Sequence, residues 1–314
     1  MLVALCSVKG SPGVTTLAVA LARHWPNAES TRRLVVEVDP SGGDLAARCG
    51  VPATPGLVSL AAVARRTADP AVVWEHTYPL PGGARMLVAP PGGVHARAAM
   101  HTLAMASGGA ILRGVARDPW AVVLADCGRV DPGSPAEALA RGADVLLLLT
   151  RVGAEDLAHA AARLGELARW TPRPGLVLVG EGYPTVDVER DLGVPAIGRI
   201  PHDPAAATIL SGPSRLRRGA GALDRQAAVL ARALATRATP SPAAPPTPAM
   251  PFPGGGLTSV PGVPDQQVRL AGGDVVRLPR PPHQQLRPAP TPPPHPAGPT
   301  GNGPQLRLVR RGPA

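Results

Sequence analysis

With 314 residues, 44% of them hydrophobic, the chain is long enough for one large α/β domain or two small ones. A net charge of +10 directs attention to nucleic acid or an anionic membrane, although an Ala/Gly/Pro/Arg composition bias accounts for the arginines equally well. Three cysteines without metal or redox spacing, no apolar window of about 18 residues and no basic-then-apolar leader argue against a disulfide scaffold, a cysteine metal site, a transmembrane span and secretion; reduced thiols in a cytoplasmic protein are expected.

In chain order, residues 2–7 predict a strand, 9–15 a glycine loop and 16–24 an amphipathic helix. The apolar run 34–38 predicts a second strand ending in Asp39-Pro40. Residues 57–66 read as a helix, 85–89 as a strand entering Pro90-Pro91-Gly92-Gly93, and 95–116 as helical with a break near Gly108-Gly109. Strands follow at 121–125, ending on Asp126, and at 145–150. A long helix at 155–170, strands at 176–179 and 196–200, and a closing helix at 224–235 complete the series. Continuous apolar strands separated by helices are strands buried on both faces, so the expected fold is a doubly wound, mostly parallel α/β sheet. Ligands of such sheets gather at the carboxyl ends of the strands, where Lys9, Asp39, Asp126 and Thr150 all fall.

Composition divides the chain into residues 1–236, which carry this alternation, and residues 237–314, which hold about half of the 41 prolines. The second part cannot bury enough apolar surface to offset ordering and is expected to be a disordered Pro/Arg-rich tail. Within it, 266–280 has the pattern of a short hairpin formed on a partner, and Leu306-Arg307-Leu308-Val309-Arg310-Arg311 suits an anionic lipid surface or a partner protein.

Lys9-Gly10-Ser11-Pro12-Gly13-Val14-Thr15-Thr16 follows a strand and opens a helix, the context that gives a phosphate loop its weight. Gly10 and Gly13 let the backbone curl so that N–H groups converge, the helix N-terminus adds partial positive charge, and Thr15 presents a hydroxyl to Mg²⁺. Lys9 is the only lysine in a chain that otherwise uses arginine. Its compact ammonium suits a tight phosphate pocket where a planar guanidinium does not.

This loop resembles the deviant Walker A loop of MinD, ParA and their relatives, K-G-G-x-G-K-T-T, here K-G-S-P-G-V-T-T. The resemblance implies ATP and Mg²⁺ as cofactors, bound by Lys9, Gly10, Ser11, Gly13, Val14, Thr15 and Thr16. Lys9 matches the signature lysine that reaches a partner's phosphates in an ATP-sandwich dimer, and Thr15 matches the magnesium-binding Thr. Val14 stands where the main phosphate-contacting lysine is expected, which implies weak hydrolysis or none. Glu37-Val38-Asp39-Pro40-Ser41-Gly42-Gly43-Asp44 resembles D-x-D-P-x-G-G-D. It makes Asp39 a catalytic switch carboxylate that positions the attacking water or the metal's water shell, with Glu37 replacing the first Asp. Residues 120–128 resemble a Walker B strand: Asp126 holds Mg²⁺ through water and Gly128 offers its N–H to the γ-phosphate. Leu192-Gly193-Val194-Pro195 and Ile200-Pro201-His202-Asp203 resemble a late family segment that brings Pro201 and Asp203 near the base. Gly180 stands where an Asn usually reads adenine. The resemblance covers roughly residues 1–236 and is nearest to the branch that includes the Tad/Cpa pilus-localisation proteins.

It implies a switch that forms a homodimer on binding ATP and, with a partner protein, positions a pilus or secretion assembly or a chromosome. It acts in the cytoplasm, with peripheral contact to the inner face of the membrane or non-specific contact to DNA as further expectations. Two other readings stand beside it: a pseudo-ATPase scaffold working through its Pro-rich tail, and a DNA-partitioning ATPase binding through surface arginines. Neither G-x-S-x-G nor H-E-x-x-H is present, so other enzyme classes have no motif here.

Overall fold

The computed structural model describes residues 1–105, 108–171, 173–210 and 221–238. The expectations for the tail, including its hairpin and its basic-apolar end, lie outside the described residues.

The chain begins with β1 (Leu2–Ser7), α1 (Val14–Arg23), β2 (Arg32–Glu37), α2 (Leu45–Cys49) and α3 (Leu57–Val63). A 3₁₀ turn (Pro70–His76) leads to β3 (Tyr78–Pro79) and β4 (Arg85–Leu87), then α4 (Gly93–Met105), α5 (Gly108–Arg117), β5 (Ala121–Arg129) and α6 (Glu137–Ala140). The second half runs β6 (Val145–Arg151), α7 (Ala154–Leu167), β7 (Pro174–Val179), α8 (Thr185–Leu192), β8 (Ala196–Ile200), α9 (Pro204–Leu210) and α10 (Ala222–Ala238). The eight strands form one sheet in the order β3-β4-β2-β5-β1-β6-β7-β8. Every pairing is parallel except the edge pair β3·β4. The doubly wound expectation therefore holds.

Side-chain alternation explains why these strands read as unbroken apolar runs. Val3 and Leu5 of β1 pack on one face with α1 and α10, while Leu2, Ala4 and Cys6 pack on the other with α3, α4, α5 and α7. In β6, Val145, Leu147 and Leu149 face the first layer and Leu146 and Leu148 the second. Both faces are covered, so polar positions have nowhere to go except the strand ends. Cys6 and Cys127 are buried free thiols, and burial pushes Cys6 up to about 12, which suits the expected packing role.

The differences from expectation are short elements. The 3₁₀ turn, β3, α2, α6, α8 and α9 span too few residues to show a hydrophobic period. The other difference matters for the site: β5 continues past Asp126 to Arg129. Its pairing with β1 shifts between Leu5↔Asp126 and Ser7↔Arg129, a bulge at the mouth of the central strands.

Candidate functional site

β1 lies inside the sheet between β5 and β6, and the loop at its carboxyl end crosses the place where strand order changes direction. That loop bends through Gly10 (φ 63°) and Gly13 (φ 102°), left-handed conformations that favour glycine. Gly13 precedes α1, whose first turn carries no acidic side chain. The leading N–H groups of α1 lack intrahelical acceptors, so the loop ends in a positive, donor-rich helix start. Val14 supplies no charge: it is 6% exposed and its side chain joins the α1 core with Leu17 and Ala18. Lys9 is half-buried and does not line the cleft of its own chain.

The opposite wall is made of carboxylates. Asp126, 1% exposed at the end of β5, accepts the Gly128 N–H at Oδ1 (3.1 Å) and is hydrogen-bonded by the Thr15 hydroxyl. Burial pushes its carboxyl up to about 6; the Thr15 and Gly128 hydrogen bonds oppose this and Asp39 adds to it. The left-handed turn at Gly128 (φ 57°) folds its N–H back onto Asp126. This differs from the sequence expectation that the same N–H faces a terminal phosphate; reaching one requires giving up this bond. Asp39 accepts the Ser41 N–H at 2.7 Å, and burial raises its carboxyl too. A Cβ placed on Gly128 would lie 1.9 Å from Asp39 Oδ2, so these two loops touch only because residue 128 has no side chain.

Glu37 has a part in the structure that its sequence position did not reveal. It is 2% exposed at the end of β2, where its Oε1 accepts the N–H groups of Asp44 (2.8 Å) and Leu45 (2.9 Å). Oε2 accepts the N–H of Ala89 at 3.0 Å. One carboxyl thus ties the Asp39–Asp44 loop to the chain leaving β4. Burial pushes it up to about 7 against the pull of these three donors. Gly43 permits the clasp, since a Cβ there would fall 2.3 Å from Glu37 Oε2.

These walls enclose a cleft of about 760 Å³ at the carboxyl ends of the strands. Of the residues expected from sequence, Gly10, Ser11, Gly13, Val14, Thr15, Thr16, Asp39, Gly128, Pro201 and Asp203 all line it. Asp126 sits beneath Thr15. Thr150, also expected at a strand end, is buried with its hydroxyl on the Arg151 carbonyl and does not line the cleft. Arg48 and Arg129 line it and were not foreseen. At the other end, Gly180 (φ 79°) offers no side chain, and both its backbone groups are engaged: its N–H on Ile200 O (2.9 Å) and its carbonyl by Arg199 Nε (2.9 Å). Any polar reading of a ligand at this end therefore falls to the loop after β8.

The donor set suits a hard cation carried in with a phosphate ligand. Among the described residues no three His, Cys, Asp or Glu side chains form a cage for a metal. Thr15, Asp39 and Asp126 instead present oxygens in one place, the arrangement through which Mg²⁺ keeps its waters and binds largely through phosphate.

No protein-family model matches the sequence, and neither does any curated protein. Solved structures do match it in fold. A ParA family ATPase from Chlorobium tepidum TLS superposes with a TM-score of 0.61 at 18% identity, covering 74% of this chain and 98% of that one. The septum site-determining protein MinD from Pyrococcus horikoshii OT3, complexed with Mg-ADP, gives 0.60 at 19% identity, covering 76% and 97%. Cobyrinic acid a,c-diamide synthase from Mycobacterium smegmatis, with a bound ATP analogue and magnesium, gives 0.52 at 17%, covering 76% and 95%. A ParA family ATPase and a synthase share this architecture, so the likeness fixes the fold and leaves the activity to the site. The described chain has the fold of the MinD/ParA P-loop ATPases.

Proposed function

We infer that this protein is a nucleotide-dependent dimerising switch of the MinD/ParA type, with ATP and Mg²⁺ as its ligands and weak or absent hydrolysis. The observation that carries the reading is the meeting of the loop after β1 with Asp39, Asp126 and Gly128 in one cleft, while Lys9 stays out of it. Gly10, Ser11, Gly13, Thr15 and Thr16 hold the phosphates through the loop backbone and the start of α1. Thr15, Asp39 and Asp126 face the metal, Asp39 also orients water, and Pro201 and Asp203 lie at the base end. When bound, Mg²⁺ supplies charge neutralisation on the phosphates. Lys9 serves the partner's site rather than its own, so two copies close face to face and each completes the other. The dimer then recruits a partner protein of a pilus, secretion or partitioning system.

The missing cation at Val14 supports slow chemistry, since losing a group that stabilises transition-state charge costs about 3 kcal/mol. Its burial in the α1 core also favours a second reading, a scaffold that has kept the fold and lost catalysis. Calorimetric titration of Mg·ATP with light-scattering mass, on wild type and Lys9→Ala, separates them. Micromolar binding with a shift to dimer that Lys9→Ala abolishes supports the switch. A wild type that stays monomeric in saturating Mg·ATP rejects it in favour of the scaffold.

A further inference from the structure

We propose that the phosphate charge left unmatched at Val14 is met by Arg48 and Arg129, which approach the cleft from its two carboxylate loops. The proposal rests on the reading of the cleft as a Mg·nucleotide site.

The electrostatics of the lining pose the problem. Asp39, Asp44 and Asp203 line the cleft and Asp126 lies under Thr15, while the loop after β1 brings backbone N–H groups and hydroxyls but no charged side chain. A triphosphate entering such a site meets negative charge, and one divalent ion does not balance both. Arg48 and Arg129 are the two side chains with permanent positive charge among the lining residues. Both come from the carboxylate wall, on its two loops: Arg48 on α2, beyond the Asp39–Asp44 loop, and Arg129 at the end of β5, directly after Gly128. Both act on the metal-facing carboxylates, the charge of Arg48 drawing Asp126 down and that of Arg129 drawing Asp39 down.

Each also makes an ion pair with a neighbouring carboxylate. Arg48 pairs with Asp44 at 3.1 Å, and Arg129 places Nε and Nη2 on the single oxygen Asp131 Oδ2, at 3.0 and 2.7 Å. These pairs are exposed and made with near neighbours in sequence, so they are worth little and exchange readily for a stronger acceptor. A phosphate is that acceptor, because a guanidinium meets it through two parallel N–H donors. Glu37 fixes the backbone at Asp44 and Leu45, so α2 stays in place while the arginine side chain swings. The cation has moved from the phosphate loop to the two loops that face it. Ligand binding and loop position are thereby coupled, which a lysine at residue 14 would not do.

The test uses the full-length chain and two probes, Mg·ATP and Mg·ADP, titrated into wild type, Arg48→Ala/Arg129→Ala, Arg48→Lys/Arg129→Lys and the control Arg65→Ala/Arg66→Ala. The control removes the same charge from exposed positions that do not line the cleft. The expected result is a loss of at least tenfold in Mg·ATP affinity for the double Ala variant, a smaller loss for Mg·ADP, partial recovery with lysines and no change in the control, all at an unchanged melting temperature. Wild-type binding with the double Ala variant within twofold of it overturns the proposal and leaves the nucleotide site standing. No binding of either nucleotide by wild type overturns both together.

Discussion

The loops that follow β2 and β5 hold their carboxylates through backbone donors, whereas the loop that follows β1 brings no charged side chain into the cleft. On the first wall, Glu37, Asp39 and Asp126 accept five hydrogen bonds from backbone N–H groups that the sheet already positions. On the second, Val14 at the start of α1 is buried in the core. On the proposed function, a carboxylate wall this well supported beside a loop this poor in charge makes binding lean on the metal and on groups outside the phosphate loop. Turnover, which needs charge at one point in the transition state, suffers more than binding does.

Substitutions can break this contrast, starting with the largest effect. Glu37→Ala leaves three N–H groups without their acceptor, two of them buried, and is expected to cost about 3 kcal/mol, seen as a melting temperature lower by roughly 10 °C in the absence of ligand. Asp126→Ala removes the carboxyl that the proposed function assigns to the metal rather than to the fold. Its expected signature is the opposite: an unchanged or higher melting temperature and a loss of about 100-fold in Mg·ATP affinity by calorimetry. Equal effects of the two on stability would erase the distinction between a carboxyl that positions and one that binds. Gly128→Ala places a methyl against Asp39 at a left-handed residue, so a cost of about 2 kcal/mol and a displaced Asp39 are expected by thermal melting and crystallography.

Acidity sharpens the same contrast with a smaller effect. Glu37 and Asp126 are raised to about 7 and about 6, so the folded state holds their protons more tightly than the unfolded chain does. That contribution to stability is complete below the ordinary carboxyl range and is lost as pH rises through the folded values. The ligand-free melting temperature should therefore fall between pH 5 and 7.5. Mg·ATP affinity should run the other way, about tenfold weaker at pH 5, because Asp126 must lose its proton to face the metal. Parallel slopes for the two measurements would contradict the assignment of Asp126.

Much of this was legible in the chain itself, for identifiable reasons. β1 was expected at 2–7 and is found at Leu2–Ser7, because a buried central strand is a run of apolar residues bounded by a glycine loop. Asp39 and Asp126 were legible because each follows an apolar strand in the order and spacing of the resemblance, Asp39 ahead of Pro40 and Asp126 two residues before Gly128. Glu37 was hidden: its role depends on the N–H of Ala89, which comes near only when β4 pairs with β2. Arg48 and Arg129 were hidden among many arginines, since nothing in a composition biased toward that residue marks the two that face the cleft. Gly180 was legible as a departure, but the seal that Arg199 puts on it from β8 was not.

The proposed function requires the cleft to hold ATP through magnesium with a valine, Val14, at the start of α1. The most direct measurement is ATP binding to the full-length chain by calorimetry, once with Mg²⁺ and once with the metal removed by EDTA. The account expects micromolar affinity with Mg²⁺ and a loss of about 100-fold without it, near 2.7 kcal/mol. Equal affinity in both conditions, or no binding in either, would contradict it.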